Sequence, residues 1–185
     1  MAKSCSTSPT STNLVLLILV AALWPLSTTT EALKPRITNI QFYMHDIVGG
    51  PNPTAVQVAG RLSNITSSDP IASSFGSIFV MDNPLTATPD INSTLMGRAQ
   101  GLYAMSSQQN EFSLLMTLTY AFVSGPYNGS SFSVVGRNPV MNEVREMPIV
   151  GGTGIFRLAR GYCLAKTHSM AGFDAVIGYN ATLIH

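Results

Sequence analysis

An aspartate closes the first apolar run of this chain, and it is the first group with chemistry to offer. Between Ile37 and Ile47 alternation puts Ile40, Phe42, Met44 and Asp46 on one face and Asn39, Gln41, Tyr43 and His45 on the other. A carboxyl on an apolar face either pairs with a cation or has its pKa raised, which makes it available for proton transfer. The competing reading is a strand-end aspartate that caps the turn before Gly49-Gly50-Pro51, and composition does not separate the two. Gly97, Ala99, Gly101 and Tyr103 share a face of a later run, as do Ala159, Gly161, Cys163, Ala165 and Thr167. Small residues around one hydroxyl leave room for a ligand, or else let a sheet pack tightly. Three arginines, Arg145, Arg157 and Arg160, flank a Gly151-Gly152-Thr153-Gly154 segment that reads as a hairpin turn. Paired strands would bring these guanidinium groups close together on a mostly apolar sheet, where they need partners.

Common catalytic signatures are missing. His45, His168 and His185 have no metal-ligand spacing, and adjacent His45 and Asp46 point to opposite faces of a strand, so they form no relay. The glycine turn lacks the lysine and following helix of a phosphate loop. No residue set here calls for a metal or another cofactor.

The elements that must position these groups read as strands throughout, with no helical stripe. Candidates are Ile37 to Ile47, Ala55 to Arg61, Gly76 to Asp82, Leu95 to Met105, Phe112 to Val123, Ser131 to Gly136, Glu143 to Val150, Phe156 to His168 and Phe173 to Leu183. Segments of this length joined by short turns predict a closed antiparallel barrel, because closure disposes of sheet edges. Pro51, Pro53, Pro84, Pro89 and Pro126 are placed in the joints, where a missing N–H costs nothing.

Residues 1–32 read as a cleaved secretory signal: Lys3, an apolar core from Leu14 to Trp24, and Thr30-Glu31-Ala32 before a mature chain starting at Leu33. The apolar core is shorter than the roughly 20 residues of a membrane span. Residues 33–185 then form one domain. Cys5 leaves with the signal, so Cys163 has no disulfide partner and reads as a small buried hydrophobe. Sequons at Asn64, Asn92, Asn128 and Asn180 fit a secreted glycoprotein, Asn128 best of all because it lies in a Gly-Pro-Tyr-Asn-Gly turn. Nine basic and eight acidic residues after position 32, with no like-charge run, argue against a nucleic-acid or acidic-membrane partner.

Five ordered motifs go further: FYMHDI at 42–47, GSIFVMDNPLT at 76–86, GRAQGLY at 97–103, YNGSSFSVVGRNP at 127–139 and VREMPIVGGTGIFRLARGY at 144–162. Together they closely resemble the plant dirigent proteins across the whole mature chain. The resemblance implies an eight-stranded antiparallel β-barrel of the calycin type, like allene oxide cyclase, in a secreted, glycosylated homotrimer. Coupling members of that family carry no oxidative centre. A laccase or peroxidase makes phenoxy radicals, and the cavity holds two of them so that one bond and one stereochemistry result, with an acid assisting closure of the quinone methide.

By the same resemblance the aspartate of HDI is Asp46, the tyrosine of GLY is Tyr103, the arginine of an Arg-[Asp/Glu] pair is Arg145, and a late-strand threonine is Thr167. The second aspartate of lignan-forming members, in Gly-Ala-Asp-Pro, corresponds to Asn138 in Gly136-Arg137-Asn138-Pro139. An amide cannot deprotonate. This pattern, without the lignan-forming members' cysteine pair, looks more like the broad subgroup that includes pterocarpan synthases, which dehydrate an isoflavanol through a quinone methide. Three functions stay open: stereoselective coupling of phenoxy radicals, dehydration of a phenolic alcohol, and phenol binding in the cell wall without turnover. Asn138 either orients a substrate group or only begins the turn at Pro139.

Overall fold

The computed structural model describes residues 34–60 and 69–185. The secretory signal, Cys5, the Asn64 sequon and the end of the second predicted strand at Arg61 lie outside the described residues. Among the described residues the nine strands are β1 (Ile37–Asp46), β2 (Ala55–Ala59), β3 (Ile78–Thr86), β4 (Leu95–Met105), β5 (Ser113–Phe122), β6 (Ser131–Pro139), β7 (Arg145–Thr153), β8 (Arg160–Ala171) and β9 (Asp174–Ile184). A short helix α1 (Pro70–Ser74) precedes β3.

Each strand pairs antiparallel with its neighbours in the order β1-β9-β8-β7-β6-β5-β4-β3, and β1 then pairs with β3 to close the expected eight-stranded barrel. β2 is a ninth strand that lies beside the first half of β3, with Val56 opposite Val80. The closing seam is short: only Tyr43↔Thr86 and Met44↔Leu85 pair across it. His45, buried on the outer side of β1, reinforces it with a bond of 2.7 Å between Nε2 and the Thr86 hydroxyl.

Four expectations need correction. β3 extends past Asp82 to Thr86, so Pro84 lies within a strand rather than in a joint. The Asp82 N–H reaches the Thr54 carbonyl, and two residues on the Pro84 nitrogen points to the same side, into the gap where β2 has ended and β1 has not begun to pair. Gly151 and Gly152 belong to β7, and the turn begins at Gly154, whose φ of +62° is the left-handed value glycine tolerates. The three arginines do not cluster. Arg145 opens β7 and is buried, whereas Arg157 and Arg160 are exposed near its far end, roughly 17 Å along the strand at ~3.4 Å per residue.

The small residues on these faces of β4 and β8 also do not line the inner cavity, which only Tyr103 and Thr167 at the ends of the two faces reach. Ala99, Ala159, Cys163 and Ala165 are fully buried in the same core as Phe42, Tyr120, Phe132 and Phe156, so aromatic rings fill the space that the small side chains leave. Phe42 is the hub: it stacks on Tyr179 at 5.3 Å and tilts against Tyr120 at 5.2 Å and Phe132 at 6.4 Å. Such pairs add about 0.5–1.5 kcal/mol each to the burial of the rings. Gly97 and Gly101 are there for strand proximity, since a Cβ on either would sit 2.1 Å from a β5 carbonyl oxygen. Burial pushes the Cys163 thiol up to about 12, in keeping with its reading as an inert hydrophobe.

Candidate functional site

The aromatic core fills one end of the barrel. At the other end, where β1, β4, β6 and β8 finish and β3, β5, β7 and β9 begin, a mainly apolar cavity of about 110 Å³ remains. Its walls include Met44, Phe79, Met105, Met116, Ile177 and Tyr179, and its polar side chains include Asp46, Tyr103, Asn138, Arg145 and Thr167. The five residues named from the resemblance thus converge on one cavity, although they come from five different strands.

Asp46 resolves its two sequence readings in favour of the cavity. Burial raises its pKa above the usual carboxylate value, against the lowering effect of hydrogen bonds from Asn83 and Tyr103, while Asp174 adds to the rise. The Asn83 amide donates to Oδ1 at 3.0 Å. Tyr103, stacked on Phe79 with ring centroids 5.0 Å apart, has its own pKa pushed well above the ordinary phenol value, first by burial and then by the charge of Asp46. Its hydroxyl stays protonated and serves as a donor.

Arg145 faces the same cavity without the carboxylate partner expected for a buried guanidinium. Its Nε donates to Asn138 Oδ1 at 3.2 Å, and its Nη1 donates to Thr167 Oγ1 at 2.9 Å and to the Asn142 carbonyl at 3.3 Å. Desolvation lowers its pKa, but from so high a value that the group remains cationic. Neutral partners hold the cation in place and leave its charge available to an anionic or carbonyl oxygen in the cavity. Asn138 is 5 % exposed, so it belongs to this arrangement as well as to the end of β6.

Sequence reasoning missed Asn83, because the predicted strand stopped at Asp82. Extending the period of two through Met81, Asn83 and Leu85 would have put the amide on the inner face. It also missed Phe79, Met170 and Phe173, which reach the cavity from β3 and from the β8–β9 hairpin. Asn92, Asn128 and Asn180 are all exposed. A wider groove of about 470 Å³ runs along the outer wall of β1, β8 and β9, with Gln41, Tyr43, Lys166 and His168 among its lining and no acid. Among the described residues no set of three or more His, Cys, Asp or Glu side chains is arranged to hold a metal.

The cavity mouth is braced by Asp174, whose Oδ1 accepts the Val48 and Gly49 N–H groups at 2.8 and 2.9 Å. The Gly49 bond, then the Val48 bond, hold its pKa below the ordinary value. The stabilisation is therefore present above the unfolded pKa of about 4 and is lost as pH falls through the lower folded value. Replacing Asp174 by Ala, which removes the shared acceptor, is expected to lower the hydrogen-exchange protection of the Val48 and Gly49 amides at neutral pH, measured against the rest of β1.

Known proteins share this barrel and much of this sequence. A family model described as "Dirigent-like protein" matches residues 37–184. Dirigent protein 23 of Arabidopsis thaliana is 48% identical over 157 residues, 84% of this chain and 81% of that protein. Pterocarpan synthase 1 of Glycyrrhiza echinata is 44% identical over 155 residues, covering 82% of this chain and 80% of the relative. The solved structure of a pterocarpan synthase dirigent protein superposes with a TM-score of 0.73 at 45% identity, covering 81% of this chain and 96% of the other. With the closed barrel and the match along nearly all of its described length, the chain belongs to the dirigent family.

Proposed function

We propose that this chain is a secreted protein that controls the stereochemistry of phenol reactions passing through a quinone methide, acting chiefly on phenoxy radicals supplied by a separate laccase or peroxidase. The observation that carries this reading is the pairing of a raised-pKa acid, Asp46, with an unneutralised cation, Arg145, in one apolar cavity. A quinone methide has an electron-poor exocyclic carbon and a carbonyl oxygen that becomes phenolic when a nucleophile adds. Arg145 receives the developing charge on that oxygen, Asp46 transfers a proton during ring closure, and the aromatic and methionine walls present one face of the ring. Two one-electron radicals form the new carbon–carbon bond, so the oxidase supplies all the oxidation and the barrel needs no cofactor.

A second reading, dehydration of a phenolic alcohol, is favoured by the likeness to pterocarpan synthases and by a cavity lined by one carboxyl group, where the coupling of two radicals would call on one for each half. In that reaction Asp46 protonates the departing hydroxyl, which leaves as water while the phenol gives up its proton to solvent and the quinone methide forms; the substrate's second hydroxyl then adds to the exocyclic carbon, returning its proton to Asp46 as the carbonyl oxygen takes one from solvent and becomes phenolic again. Incubation with an oxidase and a panel of phenols, and separately with an isoflavanol, followed by chiral chromatography, distinguishes the two. Enantiomeric excess only in the oxidase arm supports coupling, excess only in the isoflavanol arm supports dehydration, and racemic or unchanged material in both refutes stereocontrol.

The proposal includes a glycosylated homotrimer in the extracellular space of the cell wall, with no nucleic-acid or membrane partner. No helix among the described residues is long and apolar enough to cross a membrane. The trimer has support on the outer wall, where Val56, Val80, Leu102, Thr117 and Val135 stand opposite one another across β2 to β6 and the four aliphatic members are exposed. A continuous apolar row of this kind marks an association surface. Leu102→Asp is expected to reduce the sedimenting mass about threefold while leaving the sheet signal in circular dichroism intact; an unchanged trimer would place the interface elsewhere.

A further inference from the structure

Asn83 is fully buried, and its carbonyl oxygen has no hydrogen-bond partner, while its amide nitrogen holds Asp46. An orphaned buried acceptor is costly and calls for a reason. The seam provides one. Tyr43↔Thr86 and Met44↔Leu85 pair in antiparallel register, and continuing that register brings Asp46 opposite Asn83. The backbone ladder stops short of this point because Pro84 has no N–H. A side-chain bond between two inward-facing residues therefore takes over where main-chain bonds end.

We propose that Asn83 is a positioning residue for the acid at Asp46, fixing both which carboxyl oxygen faces the cavity and when that carboxyl takes up a proton. This rests on the reading of Asp46 as a proton donor. With Oδ1 occupied by the Asn83 N–H, the proton of the acid form is left to Oδ2. Once Asp46 is protonated, the amide can also turn over so that its orphaned oxygen accepts the carboxyl O–H. One residue thus satisfies both protonation states, which a purely structural asparagine has no need to do. The other groups facing Asp46 are the Tyr103 hydroxyl on β4, Tyr179 and Asp174 on β9, and, across the cavity, Arg145 on β7. Tyr103 and Tyr179 stay neutral, so Asn83 and Tyr103 are the close donors that set the carboxylate against its burial.

The test reads the carboxyl directly, by carbon-13 NMR titration without substrate, with the Asp46 signal assigned by its loss in Asp46→Asn. Asn83→Leu keeps the volume and removes both amide groups. It is expected to raise the Asp46 midpoint by about one pH unit and to carry with it the alkaline limb of the pH–rate profile, where activity falls as Asp46 loses its proton. Asn83→Asp has the same shape and, should the leucine variant fail to fold, tests the same contact: it is expected to give two coupled titration steps belonging to the pair. An unmoved Asp46 midpoint in a folded variant overturns the proposal, as does a lower rate with an unchanged pH profile and midpoint. A midpoint that moves while the pH profile of product formation stays put upholds the hold of Asn83 on the carboxyl and refutes Asp46 as the reaction's acid.

Discussion

Asp46→Asn is expected to abolish product control while leaving the barrel intact. The amide keeps the shape of the carboxyl and can still bond to Asn83 and Tyr103, so circular dichroism and the melting temperature should change little. What it removes is the one carboxyl that lines the cavity among the described residues. General acid–base groups contribute about 10²–10⁴-fold, and product formation under dehydration should fall by that factor. In the coupling arm the same loss appears as collapse of enantiomeric excess, because uncontrolled reaction in solution takes over. The pH dependence follows from the raised pKa of Asp46 in the folded protein. The acid form persists to higher pH than a free aspartate, and activity that requires it declines as pH rises through that value. A variant with full stereoselectivity in both arms would remove Asp46 from the mechanism.

Asn138→Asp should have the second largest effect, and in the opposite direction. Asn138 Oδ1 already accepts from Arg145 Nε at 3.2 Å, so a carboxylate there replaces a neutral contact with a charge-assisted one without moving the backbone. With coniferyl alcohol and an oxidase the unmodified protein is expected to give near-racemic dimers, and the variant to gain enantiomeric excess, since a second carboxylate can take the proton that an amide cannot. The new acid's pKa is held down by Arg145, so any stability it adds is present above the unfolded pKa of about 4 and lost as pH falls through the lower folded value. Strong enantiomeric excess in the unmodified protein would show that Asn138 does not limit this reaction.

The two predictions draw on different levels of information. Alternation in Ile40, Phe42, Met44 and Asp46 put an acid on the apolar face, since a strand has a period of two and a barrel has one inside, but left open whether it entered a cavity or capped the following turn. The same counting put Tyr103 and Thr167 inward, and the number and spacing of apolar runs implied closure. Periodicity is local, and it ends where tertiary contacts begin. It could not say that the small faces of β4 and β8 accommodate Phe42, Tyr120 and Tyr179 rather than a ligand, because that depends on which rings arrive from strands far away in sequence. Nor could it tell that Arg145 would meet Asn138 and Thr167 while Arg157 and Arg160 turned to solvent at the opposite end. That outcome is set by the length of β7 and its register against β8. Pro84 shows the same division most sharply: its type argued for a joint, but only the gap between β2 and β1 beside β3 makes a proline harmless inside a strand. The same gap leaves Asp46 opposite Asn83, and with it the hydrogen bond that holds the acid.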